Sequence, residues 1–132
     1  YIVILAGAND SGSTVGTVDD VETNTYLGGY NYFIEYLKAN NSATIILMTA
    51  PFIASGATIE EAYTLYNQHF INLANGVKQL GIKHNLKVFD FHGLTDMRWA
   101  NSYHYLSDKV HWNEIMNFDA SNKLALFLKN NF

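Results

Sequence analysis

Tyr1-Ile2-Val3-Ile4-Leu5-Ala6, followed at once by Gly7-Ala8-Asn9-Asp10, is the stretch that decides the fold. Six consecutive apolar residues read as a strand buried on both faces, as in parallel sheets covered by helices on two sides. Nothing in the run, neither charge nor proline, would protect it at an open edge. Such a strand needs neighbours, and the simplest arrangement places at least one of them upstream of Tyr1.

Working outward, the chain alternates strand and helix. Residues 11–25 are polar, carry Gly12 and Gly16, and read as a loop. Tyr26, Tyr30, Phe33, Ile34 and Leu37 recur at helical spacing, predicting a helix over 26–39 that stops at Asn40-Asn41. Thr44-Ile-Ile-Leu-Met-Thr49 is a second buried strand. Thr58-Ile59-Glu60-Glu61 fits a capping box, and an apolar stripe behind it runs through Phe70, Leu73, Ala74, Val77 and Leu80 to a stop at Gly81 or Asn85. Lys87-Val-Phe-Asp-Phe91 is the third strand. A long irregular connection over 92–110 leads into a last helix over 114–129, with Ala120, Leu124 and Leu128 inward. Alternation at crossover length predicts an α/β fold: a three-layer α/β/α sandwich on a parallel sheet, with the three strands side by side in chain order. Ligands bind such sheets outside the C-terminal ends of the strands. The loops after Ala6, Thr49 and Phe91, and the turn into the last helix, are therefore the places to search.

Composition narrows the partners. The 132 residues make one domain at most. Net charge is −4 and no Lys/Arg cluster exists, so neither nucleic acid nor an anionic membrane is an expected partner. The longest apolar run is too short to span a bilayer. Cysteine is absent, which removes disulfides, thiolate catalysis and Cys-based zinc sites. It leaves the compartment open, and a secreted or cell-surface location is compatible with it. Charged residues are only 15% of the chain, against roughly 25% in soluble domains, which points to a large buried fraction or to a surface that meets another segment.

Two short constellations sit where this architecture puts chemistry. Gly7-Ala8-Asn9-Asp10 follows the first strand. Asp108-Lys109-Val110-His111, then Trp112-Asn113, precedes the last helix. His111 suits a general base near neutral pH. Asp108, three residues earlier in a turn, suits the acceptor that fixes the imidazole tautomer and stabilises the imidazolium. Asn9 offers a side-chain NH₂ on a tight glycine-containing turn, a donor suited to an oxyanion hole. Only a nucleophile is lacking.

A strand ending in GxND, two further strands, then DxxH ahead of the final helix resembles the SGNH/GDSL hydrolase family over all 132 residues. Gly7, Asn9 and Asp10 match its third block; Asp108 and His111 match its fifth, with Asn113 as the Asn that often follows. The family's usual Pro is Trp112 here, and its usual Gly beyond the histidine is replaced near Met116. The GDS block with the nucleophile and the Gly of the second block have no counterpart. The resemblance implies that residues 1–132 are the C-terminal part of one flavodoxin-like SGNH domain whose N-terminal strands lie upstream. It implies a serine ester hydrolase, of the carbohydrate-esterase or lipase-like kind, acting on a small ester or acylated carbohydrate. His111, Asp108 and Asn9 would be catalytic, Gly7 and Asp10 would support the oxyanion turn, and no cofactor or metal would be needed. The serine would come from an upstream segment of the same domain.

Other readings remain. Asp10-Ser11-Gly12-Ser13 mimics a GDSxS block, but the family places four further strands between that serine and DxxH, and only two intervene here. His104, Asp108 and His111 have helical metal-ligand spacing in a region that does not read as helix. Phe52, Trp99, Tyr103, Tyr105 and Trp112 are loop aromatics that would either shape a substrate pocket or form satellite core; Trp112 and Phe52 are taken as substrate-binding candidates. His92 reads as a structural residue, and His69 and His84 as surface positions. A non-catalytic SGNH-like binding or structural module is the alternative function.

Overall fold

The computed structural model of the chain describes residues 1–10, 12–53 and 60–132. Three strands form a parallel sheet: β1 (Ile2–Leu5), β2 (Ile45–Met48) and β3 (Lys87–Phe89), in the order β1-β2-β3. Ile2 pairs with Ile45, and Ile46 with Lys87. Helix α1 (Tyr26–Asn40) joins the first two strands and α2 (Glu60–His84) the next two. After β3 come three short pieces, α3 (Phe91–Leu94), a 3₁₀ turn (Trp99–Asn101) and α4 (Ser102–Tyr105), then the long α5 (Glu114–Asn131). The connection predicted as irregular over 92–110 thus folds locally. Thr58 of the predicted capping box lies outside the described residues.

The strand period of two sorts the core into two layers. Ile4, Ile45 and Leu47 pack with Tyr26, Leu27, Tyr30 and Ile34 of α1 and Phe70, Leu73, Val77 and Leu80 of α2. On the other face, Ile46, Met48 and Phe89 pack with Met116 and Ala120 of α5, joined by Phe91, Met97 and Leu106. The result is three layers, helix–sheet–helix. Successive crossovers running in one direction with one hand deposit their helices on one face. That is why α1 and α2 share a side, while α5, with Phe91, Met97 and Leu106 from the connection before it, packs on the second face. That helix covers β2 and β3 but leaves Val3 and Leu5 of β1 37% and 41% exposed. Central β2 is buried on both faces, with Ile46 and Leu47 fully excluded from solvent.

Several sequence expectations change in detail. Phe33, counted into the α1 stripe, is exposed; Asn31 is buried instead, donating to the carbonyls of Val18 and Asp20 at 2.7 Å each. His84, taken as a surface residue, has a side chain only 6% exposed. Its Nε2 meets Asn31 Oδ1 at 2.7 Å and its Nδ1 meets Glu35 Oε1 at 3.0 Å. Asn85 ends α2 with φ of 52°, a left-handed conformation that asparagine tolerates.

Candidate active site

β1 ends in a turn closed by the Asp10 amide donating to the Gly7 carbonyl at 3.0 Å. Gly7 has φ of +131°, which L side chains rarely adopt, and a Cβ there would stand 3.3 Å from the Tyr26 hydroxyl and 3.4 Å from Ala50 Cβ. The turn therefore needs glycine, and it lifts Asn9 to the exposed tip beyond the C-terminal end of the strand.

Two tyrosines of α1 hold the strand end in place. The Ala6 amide donates to the Tyr30 hydroxyl at 3.1 Å, and the Tyr26 hydroxyl donates to the Ala6 carbonyl at 3.0 Å. Burial pushes both phenols above the usual range, so they stay neutral donors and acceptors. Beyond the turn, the Asp10 carbonyl accepts from the Ser13 amide at 3.0 Å and the Ser13 hydroxyl at 2.8 Å. It also faces His69 Nε2 of α2 at 2.7 Å. His69, read as a surface residue, is thus half-buried and fastened to the candidate oxyanion turn. A histidine and two tyrosines at helical positions carry no sequence signal for this duty, because their partners are backbone atoms of a distant loop.

The second constellation lies on a small hairpin. Leu106 and Trp112 bridge antiparallel, and the Ser107 amide and the His111 carbonyl bond at 2.8 Å. Asp108 organises its tip. One carboxylate oxygen accepts from the backbone amides of Val110 at 3.1 Å and His111 at 2.8 Å; the other meets His111 Nδ1 at 2.7 Å. These bonds to His111 and Val110 hold the Asp108 carboxyl down at about 2. Lys109 takes φ of 73° so that the chain can turn between acid and base. With Nδ1–H given to Asp108, His111 Nε2 becomes the ring's acceptor, the form a general base requires; the tautomer is assigned from the bond. Asp108 and His111 are 57% and 76% exposed at the side chain, so the pair is open to an incoming group.

Asn113, matched to the family pattern, turns out to anchor the hairpin to α5. As N-cap it accepts from the Met116 amide at 3.1 Å, while its NH₂ donates to the His104 carbonyl at 2.7 Å. His104 packs its ring on Tyr103, with centroids 4.1 Å apart. Among the described residues, no group of three His, Cys, Asp or Glu is arranged to hold a metal ion. None of the described helices is long and apolar enough to cross a membrane.

Chain neighbours of both constellations line one cavity of about 200 Å³, although Asn9, Asp108 and His111 are not among its described lining residues. Ala6 and Ala8 contribute from the first loop, Ala50 and Pro51 from the loop after β2, and Val110 and Trp112 from the hairpin, on either side of His111. Trp112 also rests on Phe91, with ring centroids 5.4 Å apart. Phe52, the other aromatic candidate, does not line the cavity; it packs on His92 with ring centroids 4.4 Å apart. His92 sits behind the loop after β2, Nδ1 bonded to the Ala50 carbonyl at 2.9 Å and backbone amide to Thr49 Oγ1 at 2.9 Å. Burial holds its pKa below the ordinary value. Thr49 in turn donates to Asp90 at 2.8 Å, and Asp90 also takes Lys78 at 3.2 Å. Burial pulls the Asp90 carboxyl up, but these bonds outweigh it and leave it below its usual range. Ser11 lies outside the described residues; Ser13 spends its hydroxyl on Asp10.

No protein-family model matches the sequence, and no curated protein matches it significantly. Solved structures do resemble the fold. A crystal structure of a protein from Lactobacillus plantarum superposes with a TM-score of 0.85 at 18% identity, covering 99% of this chain and 67% of that one. A second crystal structure gives a TM-score of 0.71 at 15% identity, covering 98% of this chain and 64% of the other. At such identities the likeness establishes the α/β/α fold, and this chain spans about two thirds of the length of each.

Proposed function

We propose that the protein is an SGNH-type serine ester hydrolase, with residues 1–132 supplying the base, its orienting acid and an oxyanion donor. One observation carries the reading: Asp108 holds His111 Nδ1 at 2.7 Å on a hairpin whose Val110 and Trp112 line the same cavity as Ala8 of the Gly7–Asp10 turn, about 100 residues away in sequence. In the proposed reaction a serine from a segment preceding Tyr1 gives its proton to His111 Nε2 and attacks the ester carbonyl. Asn9 NH₂ stabilises the oxyanion, and the proton passes from His111 to the departing alcohol. Water then repeats the sequence on the acyl-enzyme. Asp108 remains an anion throughout, stabilising the imidazolium.

The exposed Val3 and Leu5 and the groove of about 440 Å³ between β1 and α1 favour a preceding segment that packs there. The test is an aryl-ester assay on residues 1–132 and on the protein with its preceding segment, each with and without His111→Ala. The reading expects turnover only in the longer form, falling by about 10³-fold or more in the variant. No turnover on any ester would favour a non-catalytic module, and turnover indifferent to His111 would overturn its assignment as the base. His111-dependent turnover by residues 1–132 alone would move the nucleophile inside them.

A further inference from the structure

We propose that the cavity between the Gly7–Asp10 turn and the 106–112 hairpin is an acyl-chain pocket, selecting unbranched acyl groups of about four to eight carbons over acetyl. The inference rests on the hydrolase reading and narrows it, because an acetyl- or sugar-directed site needs different walls. Among the described side chains lining the cavity, only the Trp112 indole carries a hydrogen-bonding group. Part of the neighbouring backbone is already committed. Ala6 has its amide bonded to Tyr30 and its carbonyl to Tyr26, and the Ala50 carbonyl faces His92. A hydroxyl-rich sugar ring placed there would lose water and gain few partners, which costs free energy for every unmatched hydroxyl. A hydrocarbon chain loses nothing and releases water from alanine, proline and valine surface.

Size sets the upper limit. A dry cavity of roughly 150 Å³ holds a benzene-sized molecule of six carbons. At that packing the 200 Å³ found here takes about eight. The placement is compatible as well: the lining residues Val110 and Trp112 flank His111 in the chain, and the lining residue Ala8 precedes Asn9. Each methylene buried in such a pocket raises transition-state affinity by roughly fourfold.

The experiment measures kcat/KM for 4-nitrophenyl esters from acetate to dodecanoate with the full-length protein, alongside binding of methyl alkanoates of the same lengths followed by ¹⁵N shifts at Ala8 and Val110. Two variants, Ala8→Leu and Val110→Phe, fill the cavity from opposite loops, so misfolding of one leaves the other. The wild type should gain roughly fourfold per methylene from acetate until the chain reaches about six to eight carbons, then level off or fall. Either variant should move the optimum toward acetate. A wild type that prefers acetate, or an optimum unmoved in both folded variants, overturns the proposal. If no ester is turned over, the hydrolase reading fails, and the binding series alone decides the pocket. Length-dependent binding lost on filling the cavity sustains it; no binding at any length overturns it.

Discussion

Replacing Gly7 by alanine tests the local architecture of the site without reference to any substrate. The backbone at Gly7 holds φ of +131°, and confining an L residue there costs about 1–3 kcal/mol. The new methyl would also sit 3.3 Å from the Tyr26 hydroxyl, tighter than most real contacts, and in ordinary contact with Ala50 Cβ at 3.4 Å. The phenol has the freer path, and its retreat gives up the bond to the Ala6 carbonyl, about 1 kcal/mol. Together the loss is about 2–4 kcal/mol. With a urea m-value of about 2 kcal/mol/M for a chain of this size, the midpoint of denaturation should fall by about 1–2 M. Gly12→Ala is the control: its Cβ would meet nothing within 4 Å, and the change should stay within about 0.5 kcal/mol. Tyr26→Phe combined with Gly7→Ala separates the causes, since removing the hydroxyl relieves the crowding but not the dihedral strain. A Gly7→Ala midpoint within about 0.3 M of the wild type would refute both the strained turn and the tyrosine clamp.

Three further outcomes follow from the same geometry. Asp108→Asn in the nucleophile-bearing protein should lower kcat by about 10⁴-fold with little change in KM, because an amide NH₂ presents the wrong partner to His111 Nδ1; a loss under tenfold would remove the pair from the chemistry. The Asp108 carboxyl, at about 2 when folded against 3.8 for the free group, contributes stability that is complete above about pH 4 and lost as pH falls through 2. A ¹³C carboxyl titration should place it there, and an inflection near 4 would contradict the three hydrogen bonds. Burial holds His84 and His92 below the ordinary histidine value, so the unfolded chain binds more protons than the folded one in the interval between. Stability should therefore be fully present above about pH 6.5 and decline as pH falls below it, with a shallower decline in His84→Gln. Urea midpoints at pH 7.5 and 5.5 measure the difference.

What the sequence discloses about this protein depends on whether the relevant physics is local. The strand runs at 1–6 and 44–49 declare themselves as unbroken apolar residues; β2 is buried on both faces as expected, whereas β1 is not, since its Val3 and Leu5 are exposed. The Asp108–His111 bond is equally legible: acid and base three residues apart in a turn can reach one another with no help from the rest of the chain, and they do so at 2.7 Å. His69 and His84 show the opposite case. Both lie on α2 at spacings that suggest solvent, yet one meets the Asp10 carbonyl and the other the buried Asn31 amide, partners 59 and 53 residues away. No periodicity encodes such pairs, since each exists only after α1, α2 and the loop after β1 have come together. The Asn31 amide spends its NH₂ on Val18 and Asp20, so its oxygen must accept from His84 Nε2–H, leaving His84 Nδ1 to choose between Lys38 at 3.3 Å and Glu35 at 3.0 Å. The neutral ring accepts from the lysine; the protonated ring donates to the glutamate. A residue that looks like helix surface in the sequence thus ties the 17–25 loop to both helices, and the Thr25 cap at the end of that loop starts the helix whose Tyr26 and Tyr30 hold the Ala6–Gly7 strand end. The candidate site is legible in its reacting groups and hidden in its supports, because the groups act on near neighbours while the supports act across the fold.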